Sequence, residues 1–286
     1  MVESSTPGKK NTYVMGDSEL ELLRLQQQAE IFTYCEGGLF PERESVEGIA
    51  RVLDLGCGSG DWIIGIARDY PGIEVTGVDV NDRSLEYGRA RAQRMGLPNV
   101  HFEKMDILQP FTYSEPAFDV VNGRFLQGVL RKELWPEFIK ECLRVLRPGG
   151  EIRLTEGTLT ESNSAAFNTL CSLLARSFYH DRRSFAPAGD ANLQSLSIIP
   201  ALGKLLRAHC RNVQYHSFVI DYASEVASNE AQHLLLTFDA LGPYFERLGF
   251  ISHEEYQNVC AQVTRDLAQE DFWAMGHCTT VWAYYV

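Results

Sequence analysis

The chain has 286 residues, 45% of them hydrophobic and 22% charged, which suits a globular protein with a sizeable core. Its 38 acidic against 26 basic residues give a formal net charge of −12, which argues against a nucleic-acid surface, because phosphate binding needs a basic field. No apolar run approaches the length of a membrane span, "MVESSTPGKKNTYVMGD" has no apolar core of a secretory signal, and the seven cysteines include no CxxC or metal-type cluster, so a cytoplasmic protein with reduced thiols and no metal is expected.

Residues 1–17 are polar, rich in Ser, Pro, Gly and Lys, and read as a disordered leader. "SELELLRLQQQAEIF" then begins a helix: Ser18 and Glu21 form a capping box, and Leu20, Leu23, Gln27 and Ile31 recur at helical spacing. Beyond "PERESVEGIA", strands and helices alternate. "RVLDLG", "IEVTGVDV", "VHFEKMDI", "FDVVNGRF" and "EIRLTEG" read as strands. "GDWIIGIARDYP" reads as a helix stopped by Pro71, "DRSLEYGRARAQRMG" as one ending at Gly96, and "LWPEFIKECLRVL" as one closed by Arg147-Pro148-Gly149-Gly150. Such alternation predicts parallel pairing through right-handed crossovers, hence a doubly wound α/β sheet.

The pattern changes after residue 157. Residues 158–210 show no clear strand, only the helical stretches "AAFNTLCSLLARSFY" and "SIIPALGKLLRAHC" around a polar link, and read as a helical cap or substrate insertion. Residues 211–286 return to the sheet with "VQYHSFVIDYA", run through a helical stretch broken near Pro243 and Gly249, and close on the strand "HCTTVWAYYV". Residues 18–157 would then be the α/β core with its leading helix, and the whole a seven-stranded sheet.

The chemistry is concentrated in "VLDLGCGSGDW", a strand running into glycines at alternate positions with Asp54 and Asp61 on either side. Glycines there let the backbone turn sharply and approach a ligand closely. A dinucleotide fingerprint would need a third glycine where Asp61 stands, and a carboxylate beside a pyrophosphate is repelled. A P-loop would need Lys and Ser or Thr after the glycines. An acid-flanked loop suits a ligand that carries positive charge.

Here the chain resembles the class I S-adenosylmethionine-dependent methyltransferases. The likeness rests on "LDLGCGSG", on Asp79 ending the second strand, on "MDI" after the third and on "LRPGG" before the fifth, in matching order over roughly Ile49 to Glu156. It implies a Rossmann-like sheet and S-adenosyl-L-methionine as cofactor, a ligand with an ammonium and a sulfonium and no phosphate. It also implies roles. Asp54 would hold the methionine ammonium, and Gly56, Gly58 and Gly60 would admit the backbone to the cofactor. Asp79 would accept hydrogen bonds from the ribose hydroxyls, Val80 would pack the adenine, and Asp106 with the Ile107 backbone would read the adenine edge. Asn122 and Gly123 would line the methyl-donor pocket. Tyr13, Arg24 and Gln28 are similar to a leader that folds over the cofactor in some small-molecule methyltransferases, and equally fit a plain polar helix face.

Arg124 suits a cofactor carboxylate, a substrate anion or an ordinary ion pair. "NGRF" lacks the Asn/Asp-Pro-Pro-Tyr type of tetrad of nucleic-acid amino-methyltransferases. The expected acceptor is therefore a small organic molecule, methylated at O, N, S or C, with no nucleic-acid or membrane partner. If the acceptor must lose a proton, Tyr179, His180, His216 and Tyr222 are the candidate bases, with His180 favoured, and Tyr179 and Tyr222 could also meet substrate. A methyltransferase of protein or RNA, and a cofactor-binding regulatory protein, are the rival readings. Oligomeric state is not legible.

Overall fold

The computed structural model describes residues 19–114, 116–187, 195–224 and 228–286, with the backbone alone for 19–25 and 228–234. Five strands, β1 (Arg51–Leu55), β2 (Glu74–Asp79), β3 (Val100–Lys104), β4 (Phe118–Arg124) and β5 (Leu146–Gly157), pair in parallel in the order β3-β2-β1-β4-β5. The expected seven strands are present, with differences at the far side. β8 (Ala274–Tyr285) runs antiparallel between β5 and β7 (Cys210–Asp221), so the sheet is mixed. A two-residue strand, β6 (Glu161–Ser162), also pairs with β8, which gives the 158–210 segment a strand too short for any sequence period to reveal.

Period-two side-chain alternation sorts each strand onto two covered faces. Leu53, Leu55, Val121, Ile152 and Leu154 pack with α4 (Trp135–Val145) and α6 (Ile198–Arg207). Val52, Val75, Val100 and Val120 pack on the other face with α2 (Asp61–Asp69) and α3 (Asp82–Met95). α6, which falls within the expected cap segment 158–210, packs on the sheet. Its Ile198, Leu202 and Leu206 are buried in the main core, a use that an isolated amphipathic helix in the sequence does not disclose. A separate apolar cluster joins α5 (Ala165–His180), α7 (Ser228–Arg247) and α8 (His253–Leu267) through Phe167, Phe238, Phe245 and Tyr256. α7 continues through Pro243 instead of breaking there. Phe238 and Phe245, buried on either side of it, anchor both halves against the cost of the missing hydrogen bond.

Of the leading helix, α1 (Glu19–Glu36) is described, while Ser18 of its expected cap and all of residues 1–17 lie outside the described residues. α1 crosses the carboxyl edge of the sheet. Gln26 accepts a hydrogen bond from the Tyr87 hydroxyl of α3, Phe32 meets Phe125 beyond β4 with ring centroids 4.8 Å apart, and Glu36 is buried beside β5 and β8.

Glu36 is there because β5 carries a fully buried arginine. Arg153 donates to Glu36 Oε1 at 2.8 Å, to Glu42 Oε1 at 2.7 Å and to Asn122 Oδ1 at 2.9 Å, and stands over the rings of Phe40 and Trp62. Thr280 of β8 also donates to Glu36. Removing one partner of a buried pair strands the other charge, at a cost of roughly 3–5 kcal/mol. Glu36→Gln is expected to lower the unfolding free energy by about 3 kcal/mol in urea titrations. Glu30→Gln, on the exposed face of the same helix, is expected to stay within about 0.5 kcal/mol of the parent.

Candidate functional site

The glycine loop between β1 and α2 is drawn over the end of β2. Gly56 N and Cys57 N both donate to Val78 O, at 2.9 and 3.0 Å. Gly58 N donates to Asp79 Oδ2 at 2.9 Å, and Asn81 N to Asp79 Oδ1 at the same distance. Gly56, Gly58 and Gly60 have φ of 69°, 56° and 78°, the left-handed region that a side chain disfavours. A Cβ at Gly60 would also collide with the Phe102 ring, whereas one at Gly58 would meet nothing within 4 Å. The loop is thus packed tightly on its protein side and open over Gly58.

Asp54 stands at the end of β1 with 3% of its surface exposed. Burial raises its pKa to about 6, against the pull of Arg124, the Asn122 hydrogen bond and Arg153, with Asp79 adding to the rise. Asn122 Nδ2 donates to Asp54 Oδ1 at 2.8 Å. Burial first, and then the Asp54 and Asp79 carboxylates, push the Cys57 thiol well above its ordinary value, which removes it as a nucleophile. Asp61, the other acid flanking the loop, is turned away: it pairs with Arg91 of α3 and accepts from Ser59 Oγ at 2.6 Å. The acids left around the loop are therefore Asp54 and Asp79.

Val80, 50% exposed, follows Asp79 at the mouth of the crevice. Asp106 is exposed after β3 and accepts from Leu108 N at 2.9 Å, while Ile107 is buried in the core. Gly123 is packed under Leu126 and Leu154, and Arg124 is half-buried at the end of β4 with no ion pair among the described residues. These residues come together along the carboxyl ends of β1, β2, β3 and β4, where open α/β sheets hold ligands. An open depression of about 780 Å³ near Arg89, Gln93 and Pro98 lies instead toward the amino end of β3, away from this chemistry.

Residues 52–150 match the family described as a methyltransferase domain. Residues 52–150 are a domain of the class I S-adenosylmethionine-dependent methyltransferase type. It is 32% identical over 145 residues to methyltransferase GfsG of Streptomyces halstedii, covering 49% of this chain and 51% of that protein. It is 35% identical over 104 residues to demethylmenaquinone methyltransferase of Staphylococcus aureus, covering 36% and 41% respectively. The chain thus matches about half the length, or less, of these curated relatives. In fold it is similar to a Bacillus halodurans protein of known structure, with a TM-score of 0.52 at 17% identity over 90% of this chain and 97% of that one.

The class I domain brings the loop glycines, Asp54, Asp79, Asn122 and Gly123 to one edge, and it does not bring every expected residue there. Tyr13 lies outside the described residues, as does the side chain of Arg24, and Gln28 is half-buried on α1. Tyr179 and His180 are exposed at the end of α5; His180 lies against Phe250 and 3.2 Å from Asp181, neighbours that belong to the helical layer. Tyr222 is buried beside Gly276 in a small cluster under α1. His216 contacts the Glu36 carbonyl at 2.9 Å. Among the described residues no group of three or more potential ligands could hold a metal ion. No described helix is long and apolar enough to cross a membrane.

Sequence reading missed Arg153, Glu36 and Glu42, and also Glu156 at the end of β5. Glu156 is buried without a cation partner among the described residues; its Oε1 accepts from Gln127 N at 3.0 Å, in the turn Leu126–Gly128 that follows β4. Burial raises its pKa to about 8, despite the backbone hydrogen bonds from Gln127 and Leu126. A raised folded value means that the native state keeps a proton which the unfolded chain loses at about 4.3, so stability falls as pH rises from there through 8. Thermal melting across that range is expected to show this decline, and Glu156→Gln is expected to flatten it and to exceed the parent in stability at pH 8.

Proposed function

We propose that this protein transfers the methyl group of S-adenosyl-L-methionine to a small organic acceptor, at an O, N, S or C atom. The observation that carries the reading is the pairing of Asp54 and Asp79 around a glycine loop whose open side faces the carboxyl edge of the sheet. The donor set fits the cofactor's chemistry. A buried carboxylate suits an ammonium, and Asp79 keeps acceptor capacity on both oxygens for hydroxyl donors, since each already takes only one backbone N–H. Val80 supplies exposed apolar surface for a ring beside it, and Asn122 and Gly123 border the inner end of the crevice.

When bound, the cofactor supplies an activated methyl carbon on a sulfonium, so the protein contributes mainly alignment and the exclusion of water. α1 serves both by crossing the edge of the sheet, with Gln28 on its half-buried face and Arg24 and Tyr13 ahead of it in the chain. Arg124, half-buried beside Asp54, is the cation suited to a carboxylate of the cofactor or the acceptor. Transfer by alignment requires no fixed base, and His180 keeps its candidacy only through movement of the end of α5 toward the crevice.

A small acceptor is supported by the net charge of −12, which disfavours RNA, and by the name of the Staphylococcus relative, which acts on demethylmenaquinone. Isothermal calorimetry is expected to give saturable binding of S-adenosylmethionine and S-adenosylhomocysteine, weakened about tenfold or more by Asp79→Ala, which removes charged-acceptor hydrogen bonds. Unchanged affinity in that variant would remove the ribose assignment. Donor binding without turnover across a broad panel of small acceptors would favour the regulatory reading.

A further inference from the structure

Asp54, Asn122 and Arg153 occupy one row across three neighbouring strands. Asp54 of β1 is in register with Asn122 of β4, and Asn122 with Arg153 of β5. All three side chains leave the sheet on the same face and are buried. Arg153 Nη1 donates to Asn122 Oδ1 at 2.9 Å, and Asn122 Nδ2 donates to Asp54 Oδ1 at 2.8 Å. An arginine has no acceptor, so it can meet only the oxygen end of the amide. The nitrogen end must then face Asp54. The guanidinium is itself fixed by Glu36 and Glu42, and these carboxylates arrive from α1 and the segment after it.

We infer that Arg153 and Asn122 are positioning residues for the cofactor's ammonium. Arg153 dictates which way the Asn122 amide points, and that amide locks Asp54 in one rotamer through Oδ1, leaving Oδ2 directed at the crevice. No other hydrogen bond to Asp54 forms among the described residues. The inference rests on the proposed ammonium role of Asp54, and it adds that the N-terminal segment controls that carboxylate through a chain of three contacts. The charged and titratable groups around Asp54 are Arg124 on the same strand as Asn122, Arg153 on β5, Asp79 at the end of β2, and the Cys57 thiol in the loop.

The test compares two ligands. S-Adenosylhomocysteine carries the ammonium, and 5′-methylthioadenosine lacks the amino-acid portion. Asn122→Ala is expected to weaken the first by about tenfold, the size of one hydrogen bond to a charged group, and to leave the second within about twofold. Arg153→Lys, which keeps a cation for Glu36 and Glu42 but loses the planar fork, is expected to give the same selective loss. Carboxyl NMR on the ligand-free protein supplies a readout independent of binding: the Asp54 midpoint, about 6 in the parent, should rise in Asn122→Ala because a hydrogen bond to the ionised form is gone. Equal weakening of both ligands, or an unmoved Asp54 titration, would overturn the inference. A parent that binds neither ligand would instead defeat the proposed function, and the titration alone would then decide the positioning claim.

Discussion

A fully buried guanidinium in a central strand is the constraint around which this molecule is assembled. Arg153 sits between neighbours on both sides of β5, where no water can reach it, so every one of its contacts must come from protein. Two carboxylates come from the N-terminal segment and one amide from β4. The aromatic faces of Phe40 and Trp62 cover the rest. A similar pairing lies two residues earlier on the same strand, where Arg43 meets buried Glu151. The segment from Glu36 to Arg43 is therefore fastened to the sheet by ion pairs, and α1 inherits its position over the crevice from that fastening.

The glycine loop depends on a different kind of fit. Phe102 of β3 fills the space beside Gly60 and also beside Gly88 of α3, so a single ring supports the loop and the helix that follows β2. Neither glycine tolerates a Cβ without displacing that ring. At Gly60 a φ of 78° adds a backbone cost to the clash. Ionic fastening thus sets the cover of the crevice, and close apolar packing sets its floor.

Much of this was legible in the sequence. Alternation of strands and helices and the helix end at Gly96 follow local rules, and the elements lie close to where those rules put them. The acids at the ends of β1 and β2 were readable because their positions follow from strand ends. The less legible parts were decided by tertiary pairing. Asp61 resembles a ligand-facing acid until Arg91, 30 residues away, claims it. The Glu36–Arg153 pair spans 117 residues, beyond the reach of any local pattern. One signal was present nonetheless: "EIRLTEG" alternates polar and apolar residues in a strand of a sheet expected to be covered on both faces. Glu151, Arg153 and Thr155 there called for buried partners.

The electrostatics of the crevice follow from how incompletely Asp54 is neutralised. A pKa near 6 leaves it largely ionised at neutral pH, yet shows that its surroundings fall short of offsetting the loss of water. Arg153 is engaged by two carboxylates of its own, so only part of its charge acts on Asp54. Asp79 works in the opposite sense, as a second anion across the loop. A cationic ligand placed between them would supply what the protein leaves missing, and a phosphate would aggravate the deficit. By linkage, such a cation should also lower the Asp54 pKa and displace its residual proton. The same glycine geometry that elsewhere admits a pyrophosphate is here given the opposite charge preference by the carboxylates around it.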